Sequence, residues 1–389
     1  MEDQLTHASP SSEAAAGTTT RGEAEALTIG LALKDVELRV AGETHIHPTR
    51  IELAERGFNI LLGPTLAGKT TLMRLMAGLL RPTAGEVWFG GRDVTGVPVR
   101  SRHVAMVYQQ FINYPHLSVF ENIASPLRVA RVPVAQVRSR VGEIAELLEI
   151  SALLDRRPSE LSGGQQQRTA LARALVKDAA LVLLDEPLAN LDYKLREGLR
   201  DELPRLFADR DCTVVYATTE PGEALLLGGH TATVHEGRIT QFGATASVYR
   251  QPVDLTTARA FSDPPINTAP VTKRGDRVEL GQVTGWQVRG ALAALPDGPY
   301  TFGLRPHHVR LEATGGAGAD RVAITGRVSI AEISGSESVI HFGLDGSTWV
   351  SQSHGVHRFA VGEAAGFRLE VARGLYFTPD GRCVTTGGA

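Results

Sequence analysis

The 389-residue sequence is poor in cysteine and has no long apolar runs. It contains two cysteines, Cys212 and Cys383, which are too few for a disulfide framework or a four-ligand zinc site, so we expect a reducing compartment. No apolar stretch approaches the roughly 18 residues that a membrane-spanning helix requires. The N-terminus begins acidic and lacks the apolar segment of a secretory signal. We therefore expect a cytoplasmic protein that reaches a membrane only through its partners.

A strong net charge is also missing. The sequence has 40 basic and 43 acidic residues, a formal net charge of -3. This balance argues against a protein that binds nucleic acid through bulk basicity. Apolar residues make up 42% of the chain, so a large core is possible without disulfides or a structural metal. At roughly 150 residues per domain, the length predicts two or three domains.

Composition divides the chain into three parts. Residues 1–27 are rich in Ser, Thr, Ala, Gly and Glu and are predicted to form a disordered tail. In residues 28–260, apolar strands alternate with helical segments, which predicts an α/β nucleotide-binding domain. A helical insert is expected at about residues 119–176. Residues 261–389 contain the proline-rich stretch SDPPINTAP near their start, and the short β-like runs between glycine turns that follow it predict a small all-β domain.

The segment GPTLAGKTT matches the phosphate-loop pattern G-x-x-x-x-G-K-[ST] and lies between an apolar strand and a helix. Backbone amides and the helix N-terminus would surround the phosphates. Lys69 would reach the β- and γ-phosphates, and Thr70 would offer its hydroxyl to Mg²⁺. A chance glycine turn is the alternative, and the strand–loop–helix context argues against it. The predicted nucleotide-binding residues here are Gly63, Pro64, Thr65, Ala67, Gly68, Lys69, Thr70 and Thr71.

A second apolar strand, in AALVLLDEP, ends in two acidic residues. Asp185 is placed to hold Mg²⁺, and Glu186 is placed to polarise the attacking water. Alone, such an acidic pair is a solvated strand end about as often as it is a catalytic pair. Together with a phosphate loop it predicts a site that hydrolyses ATP.

The segment LSGGQQQR, from Leu161 to Arg168, resembles the signature of ATP-binding-cassette (ABC) ATPases. It is also a glycine-bearing helix start, where Ser162, Gln165 and the amides of Gly163 and Gly164 can bind a γ-phosphate. In the family this segment serves the nucleotide of the opposite subunit. The resemblance therefore implies two cassettes that enclose each ATP between them. An ordinary capped helix is the alternative, and the order of the motifs disfavours it.

Further segments resemble the carbohydrate-importer branch of this family. Gln109, in VYQQ, occupies the position where the family senses Mg²⁺ and the attacking water, and Asp192, in ANLD, occupies the D-loop. FINYPHLSVFENI is similar to the region that receives a coupling helix from a membrane subunit. FGLRPHHVRL and ISGSESVIHF resemble the regulatory β-domain, OB-like and known as TOBE, of maltose-type and glycerol-3-phosphate-type import ATPases.

The resemblance implies a set of partners and a location. It implies two membrane permease subunits, a second cassette and, indirectly, a periplasmic or extracellular solute-binding protein, with no nucleic acid. The chain would lie on the cytoplasmic face of the membrane as a peripheral subunit, with ATP and Mg²⁺ as its cofactors.

Two positions depart from the family pattern. Thr219, in YATTEPGEAL, stands where the family has a histidine that contacts the γ-phosphate; threonine can hydrogen-bond but carries no charge. Arg39 or Val40 stands near the position of an aromatic residue that stacks on adenine. Both losses affect this chain's own nucleotide, whereas the LSGGQ segment is intact. They favour an asymmetric pair with a nonidentical cassette over a homodimer in which Glu186 suffices.

The leading hypothesis is an ATP-hydrolysing subunit of a sugar or polyol importer, with glycerol or glycerol phosphate favoured. One alternative is a slow or non-hydrolysing cassette that regulates its partner; the intact Lys69, Asp185 and Glu186 argue against its pure form. Another is a soluble ABC ATPase that acts on nucleic acid or ribosomes. Such proteins typically carry two cassettes, a coiled coil or a zinc insertion, and this sequence has one cassette and neither insertion.

Overall fold

The computed structural model describes residues 29–110, 112–189, 191, 193–208, 210–311 and 321–386. The predicted tail and Asp192 lie outside these ranges. The first part of the chain forms β1 Ile29–Val40, β2 Glu43–Ala54, β3 Gly57–Leu62, α1 Lys69–Ala77, β4 Ala84–Phe89, β5 Arg92–Asp93, β6 Val104–Val107, α2 Val119–Val129, α3 Val134–Leu147, α4 Gly163–Leu175, β7 Leu181–Asp185, α5 Tyr193–Ala208, β8 Thr213–Thr218, α6 Pro221–Leu227, β9 His230–His235, β10 Arg238–Ala244, α7 Thr245–Arg250 and α8 Leu255–Ala260.

A mostly parallel sheet with the order β10-β9-β3-β8-β7-β6 forms the centre of this part. In the register, Leu62 of β3 pairs with Thr218 of β8, and Ala217 of β8 pairs with Asp185 of β7. The carboxyl ends of these three strands therefore meet at one edge of the sheet. Ligands of open α/β sheets bind at this edge.

Two apolar clusters cover the faces of the central sheet. On one face, α2–α5 pack over residues such as Ile60 and Leu184. On the other face, α1 and the antiparallel sheet β2-β1-β4-β5 pack over Leu61 and Leu183. Neighbouring residues of one strand thus enter opposite cores, as the two-residue period of a strand requires. Both faces of the sheet are buried, and its edge is left for the site.

In residues 267–311 and 321–386, the C-terminal part is built from strands and short 3-10 turns. Its strands are β11 Asn267–Arg274, β12 Arg277–Leu280, β13 Thr284–Gln287, β14 Gly298–Leu304, β15 Val309–Leu311, β16 Val322–Ile333, β17 Glu337–Leu344, β18 Ser347–His354, β19 Ala364–Leu369, β20 Leu375–Phe377 and β21 Cys383–Thr386. They form two antiparallel sheets, with orders β13-β12-β11-β14-β20-β21 and β15-β19-β16-β17-β18. Phe342 of β17 and Phe367 of β19, both in the second sheet, stack in the shared core with ring centroids 3.8 Å apart.

Arg305 joins the β-rich part to the end of the α/β part. This side chain follows β14 and is 5% exposed. It donates hydrogen bonds to the carbonyl oxygens of Tyr249 and Phe261, each at 2.8 Å, and its guanidinium lies 4.0 Å from the centre of the Tyr249 ring. A buried arginine needs partners of this kind, so the contact fixes α7 and the end of α8 against the β-rich part.

Within the described ranges, every helix is too short or too polar to cross a lipid bilayer.

Candidate functional site

The loop between β3 and α1 depends on two glycines. Gly63 donates to the carbonyl of Thr218 at 3.3 Å, and a Cβ on Gly63 would lie 2.1 Å from the carbonyl oxygen of Val234. Only glycine fits this position. Gly68, the residue before α1, has a φ of 107°, a conformation that disfavours side chains. The predicted phosphate loop therefore has its glycines where the backbone requires them.

The other loop residues differ in their exposure. Pro64 and Thr65 are exposed, Ala67 is buried beneath the loop, and Thr70 and Thr71 are half-buried on the first turn of α1. The amide of Ala67 donates to the carbonyl of Pro64 at 3.2 Å. The helix N-terminus thus opens toward solvent at the edge of the sheet, where it can attract an anion.

Lys69 lies inside the loop and is 4% exposed. Its Nζ donates to the carbonyl oxygens of Gly63 at 2.8 Å and Pro64 at 3.0 Å and lies 3.3 Å from Glu186 Oε1. Burial lowers the pKa of Lys69, and the neighbouring Glu186 carboxylate opposes that effect. The ammonium group is therefore held between the loop and the end of β7.

Thr70 and Asp185 meet beside it. Thr70 Oγ1 donates to Asp185 Oδ1 at 3.1 Å. Asp185 is 1% exposed, and burial raises its pKa, while the hydrogen bond from Thr70 opposes the shift. A hydroxyl and a carboxylate form the all-oxygen donor set that Mg²⁺ prefers. These two residues fit the predicted ion.

Glu186 connects three segments of the chain. Its Oε2 accepts a hydrogen bond from Gln109 Nε2 at 2.9 Å, while Oε1 faces Lys69. Its backbone has a φ of 48°, and its amide donates to the carbonyl of Ala217 at 3.0 Å. Left-handed conformations of residues other than glycine cluster at functional sites. The structure thus brings together Lys69, Gln109 and Glu186, which are distant in sequence.

Thr219, which directly follows β8, is exposed between two anchored neighbours. Thr218 Oγ1 donates to Glu223 Oε2 at 2.6 Å and accepts from the amide of Glu220 at 3.0 Å. The Glu220 carboxylate accepts from Arg196 of α5 at 2.7 Å. Residues 218–220, which we name the switch segment, are therefore fixed on both sides of Thr219.

Glu223 and Arg196 also belong to the site, although the sequence patterns do not predict their roles. Tyr216 Oη also donates to Glu223 at 2.9 Å, and burial raises the pKa of Glu223. The sequence offered one signal, a glutamate three positions into a helix that starts with proline. That pattern normally indicates an exposed helix start, so the tertiary partners could not be read from it.

The predicted signature begins α4. Ser162 is its N-cap: Ser162 Oγ accepts from the amide of Gln165 at 3.3 Å, and the Ser162 amide donates to Gln165 Oε1 at 3.0 Å. This reciprocal pair is a capping box. A Cβ on Gly163 would meet nothing within 4 Å, and Gly164 follows it in the first turn. The helix start is therefore open to an incoming group.

The signature helix is tied to the end of β7. Buried Gln167 donates from Nε2 to the carbonyl oxygen of Pro187, the residue after Glu186. Asn113, four residues beyond Gln109, donates to the carbonyl of Gln166 at 2.8 Å. A shift of α4 would therefore act on both segments that hold Glu186.

The region predicted to meet adenine, residues 36–45, contains no phenylalanine, tyrosine or tryptophan. Arg39 Nε lies 2.6 Å from Glu37 Oε1, and the Arg39 amide donates to Thr83 Oγ1 at 2.8 Å. Val40 is 48% exposed at the end of β1. The Arg39 guanidinium is thus engaged with a carboxylate, and Val40 leaves an apolar surface.

Residues 46–189 match the ABC transporter family, and residues 302–377 match the TOBE domain. The sn-glycerol-3-phosphate import ATP-binding protein UgpC of Ralstonia nicotianae is 36% identical over 324 residues, which cover 81% of this chain and 87% of that protein. The protein of the same name from Escherichia coli (strain K12) is 37% identical over 315 residues, with 80% and 87% covered.

A solved structure is also similar. The dimeric structure of a post-hydrolysis state of the ATP-binding cassette MJ0796 bound to ADP and Pi has a TM-score of 0.51 and 26% identity, covering 55% of this chain and 98% of that chain. Together the matches confirm the predicted fold, an ATPase cassette followed by an all-β TOBE domain. The chain therefore belongs to the ATP-binding subunits of ABC importers, and these subunits hydrolyse ATP to energise import.

Proposed function

We propose that this chain is a peripheral subunit on the cytoplasmic face of the membrane and energises uptake of a polyol phosphate, with sn-glycerol-3-phosphate favoured. Residues 28–260 form the cassette in this proposal, and residues 261–389 form the regulatory β-domain. The names of relatives at 36% and 37% identity support the substrate. The observation that carries the hydrolytic role is the contact of Glu186 with both Lys69 and Gln109.

Each side chain of the site has a proposed task. When ATP binds, Lys69 exchanges its contacts with the loop carbonyls for the β- and γ-phosphates. Glu186 polarises the attacking water, and Gln109 orients the Glu186 carboxylate and the water. Thr70, Asp185 and Gln109 hold Mg²⁺, which when bound neutralises phosphate charge. Loop amides between Thr65 and Thr71 bind the phosphate oxygens, while Gly63, whose amide donates to Thr218, and Pro64, which has no N–H, shape the start of the loop.

A second cassette completes each site. Ser162, Gly163, Gly164 and Gln165 form an open helix start, which we assign to the nucleotide of the partner, with Asp192 at the contact between the two. Thr219 brings no charge to this chain's own nucleotide, and Val40 brings no ring. We therefore favour a nonidentical partner whose site turns over faster; in the alternative, two copies of this chain pair and Glu186 suffices.

A cleft of about 530 Å³ supports the proposal that membrane subunits bind this chain. It lies between β6 and the helices α2 and α4, where Met106, Leu117 and Pro126 form apolar walls. Tyr114 and Val129 at its rim are exposed. Such a groove suits the apolar face of a helix, and we assign it to a coupling helix of a permease subunit. Two permeases would serve two cassettes, and a solute-binding protein would deliver substrate on the far side of the membrane.

The test is ATP turnover by the purified full chain with Mg²⁺, beside Glu186→Gln and Thr219→His. The asymmetric pair predicts slow turnover that Thr219→His raises, or turnover that appears only with a partner cassette. Brisk turnover of the unmodified chain that Glu186→Gln abolishes would establish a self-sufficient homodimer. Absence of nucleotide binding would contradict the proposed function as a whole.

A further inference from the structure

A cavity of about 500 Å³ opens beside the switch segment. Its walls come from the start of the phosphate loop, the switch segment, the β9–β10 hairpin and the end of α8. The lining includes Pro64 and Thr219 from the nucleotide site and Arg259, Ser262 and Asp263 from α8 and the residues after it. Because a water molecule takes about 30 Å³, the cavity has room for a phosphate group and several waters. It therefore extends the nucleotide site toward α8.

Arg259 brings a cation to this cavity. It is exposed on α8, and no hydrogen bond or ion pair to its guanidinium exists among the described residues. Arg196 and Arg305, by contrast, are engaged with Glu220 and with backbone carbonyls. A guanidinium presents a planar fork of donors that matches phosphate oxygens. Arg259 is thus available to an anion that enters from the phosphate loop.

The other charged groups of the cavity neutralise only part of the positive charge of Arg259. Glu220 is paired with Arg196 at 2.7 Å. His235 lies 3.8 Å from Glu236, outside hydrogen-bond distance. Asp263 is the remaining acidic group of the lining, and it reduces the positive potential that Arg259 supplies. Removal of the Asp263 charge should therefore strengthen anion binding.

We propose that Arg259 binds the terminal phosphate at the Thr219 end of the site, either the γ-phosphoryl group of ATP or the inorganic phosphate formed from it. This inference rests on the proposed function. Thr219 can hydrogen-bond the same group but adds no charge, so Arg259 supplies the positive charge that this end otherwise lacks. The contact between Arg305 and the Phe261 carbonyl holds the end of α8, so the β-rich part positions Arg259.

The test uses the full chain carrying Glu186→Gln, so that ATP is not consumed during the measurement. Affinities for ATP and for ADP are measured by calorimetry with and without Arg259→Gln. Inorganic phosphate is then titrated against the ADP-bound forms while thermal unfolding is recorded. Arg259→Lys is the conservative variant, Asp263→Asn is the variant expected to strengthen binding, and Arg250→Gln, an exposed arginine of α7 outside the cavity, is the matched control.

We expect Arg259→Gln to weaken ATP binding about tenfold, or to abolish the thermal shift from phosphate, while ADP affinity stays the same. Loss in the ATP arm identifies the γ-phosphoryl group, and loss in the phosphate arm identifies the product. Arg259→Lys should restore part of either effect. Unchanged values in both arms would overturn the inference, and the intact ADP binding would leave the proposed function standing. Failure of the parent chain to bind ADP would contradict the proposed function itself.

Discussion

Gln109 and Glu186, 77 residues apart in sequence, are joined by a hydrogen bond of 2.9 Å from Nε2 to Oε2. The second oxygen of the same carboxylate lies 3.3 Å from Lys69 Nζ. A carboxylate whose two oxygens are both held by neighbours has a fixed orientation. A group that positions a water molecule needs such an orientation. The left-handed backbone of Glu186 shows that the chain accepts local strain to keep this geometry.

We expect Glu186→Gln to lower ATP turnover at least about 100-fold, because a positioned base typically contributes 100- to 10,000-fold. Nucleotide affinity should persist, since the amide keeps the shape of the side chain and the loop is unchanged. Turnover and ATP affinity of the full chain with Mg²⁺ give both numbers. Glu146→Gln, at an exposed position of α3, is the matched control. Equal turnover in both variants would remove Glu186 from the reaction.

Arg196 and Glu220 should act as one unit. Their ion pair is partly exposed, with 28% and 42% of the side chains accessible, so its coupling should be about 0.5–1 kcal/mol. We expect Arg196→Met and Glu220→Gln each to destabilise the chain and the double variant to cost less than the sum. Urea unfolding of the four proteins measures the coupling. Additive losses would show that the two side chains stabilise the fold independently.

Arg305→Met should destabilise the attachment of the β-rich part. The substitution leaves the carbonyl oxygens of Tyr249 and Phe261 without their donor, and each unsatisfied buried group costs about 1–3 kcal/mol. We expect a total loss of about 3 kcal/mol in the free energy of unfolding. Urea unfolding measures it, with Arg238→Met, an exposed arginine of β10, as the control. A loss no larger than that of the control would contradict the role of Arg305.

Local patterns predicted the parts of the site better than the contacts between its parts. The phosphate loop, the end of β7 and the start of α4 each have a short signature that depends on neighbouring residues alone. The parallel register then places Gly63, Glu186 and Thr219 at one edge without further information. The family and the importer function were also predicted from such local motifs, and the relatives confirm both.

Long-range side-chain contacts left no such trace in the sequence. Arg196 pairs with Glu220 across 24 residues, and Arg305 reaches Tyr249 across 56. Glu223 is buried through contacts with residues of β8, although its position in a helix start indicates exposure. Such pairs depend on how α5, α6 and the β-rich part pack, and hydrophobic periodicity does not encode which polar groups meet.

Acid should weaken the fold through His307. This side chain lies 3.5 Å from Tyr249 Oη, beside Arg305, and burial, with help from the neighbouring His308, lowers its pKa to about 4. The unfolded chain has a histidine pKa of about 6.5 and binds the proton more tightly. The stabilisation from neutral His307 is therefore complete above pH 6.5 and is lost as the pH falls toward 4.

We expect this loss to be about 2 kcal/mol, because solvent reaches part of the ring and reduces the full effect of the shift. In His307→Gln the free energy of unfolding should change less between pH 6.5 and 4 than in the unmodified chain. Urea unfolding at a series of pH values measures the difference, with exposed His103→Gln as the control. Parallel pH curves for the unmodified chain and His307→Gln would show that His307 already binds its proton equally in both states, and that another group accounts for any acid sensitivity.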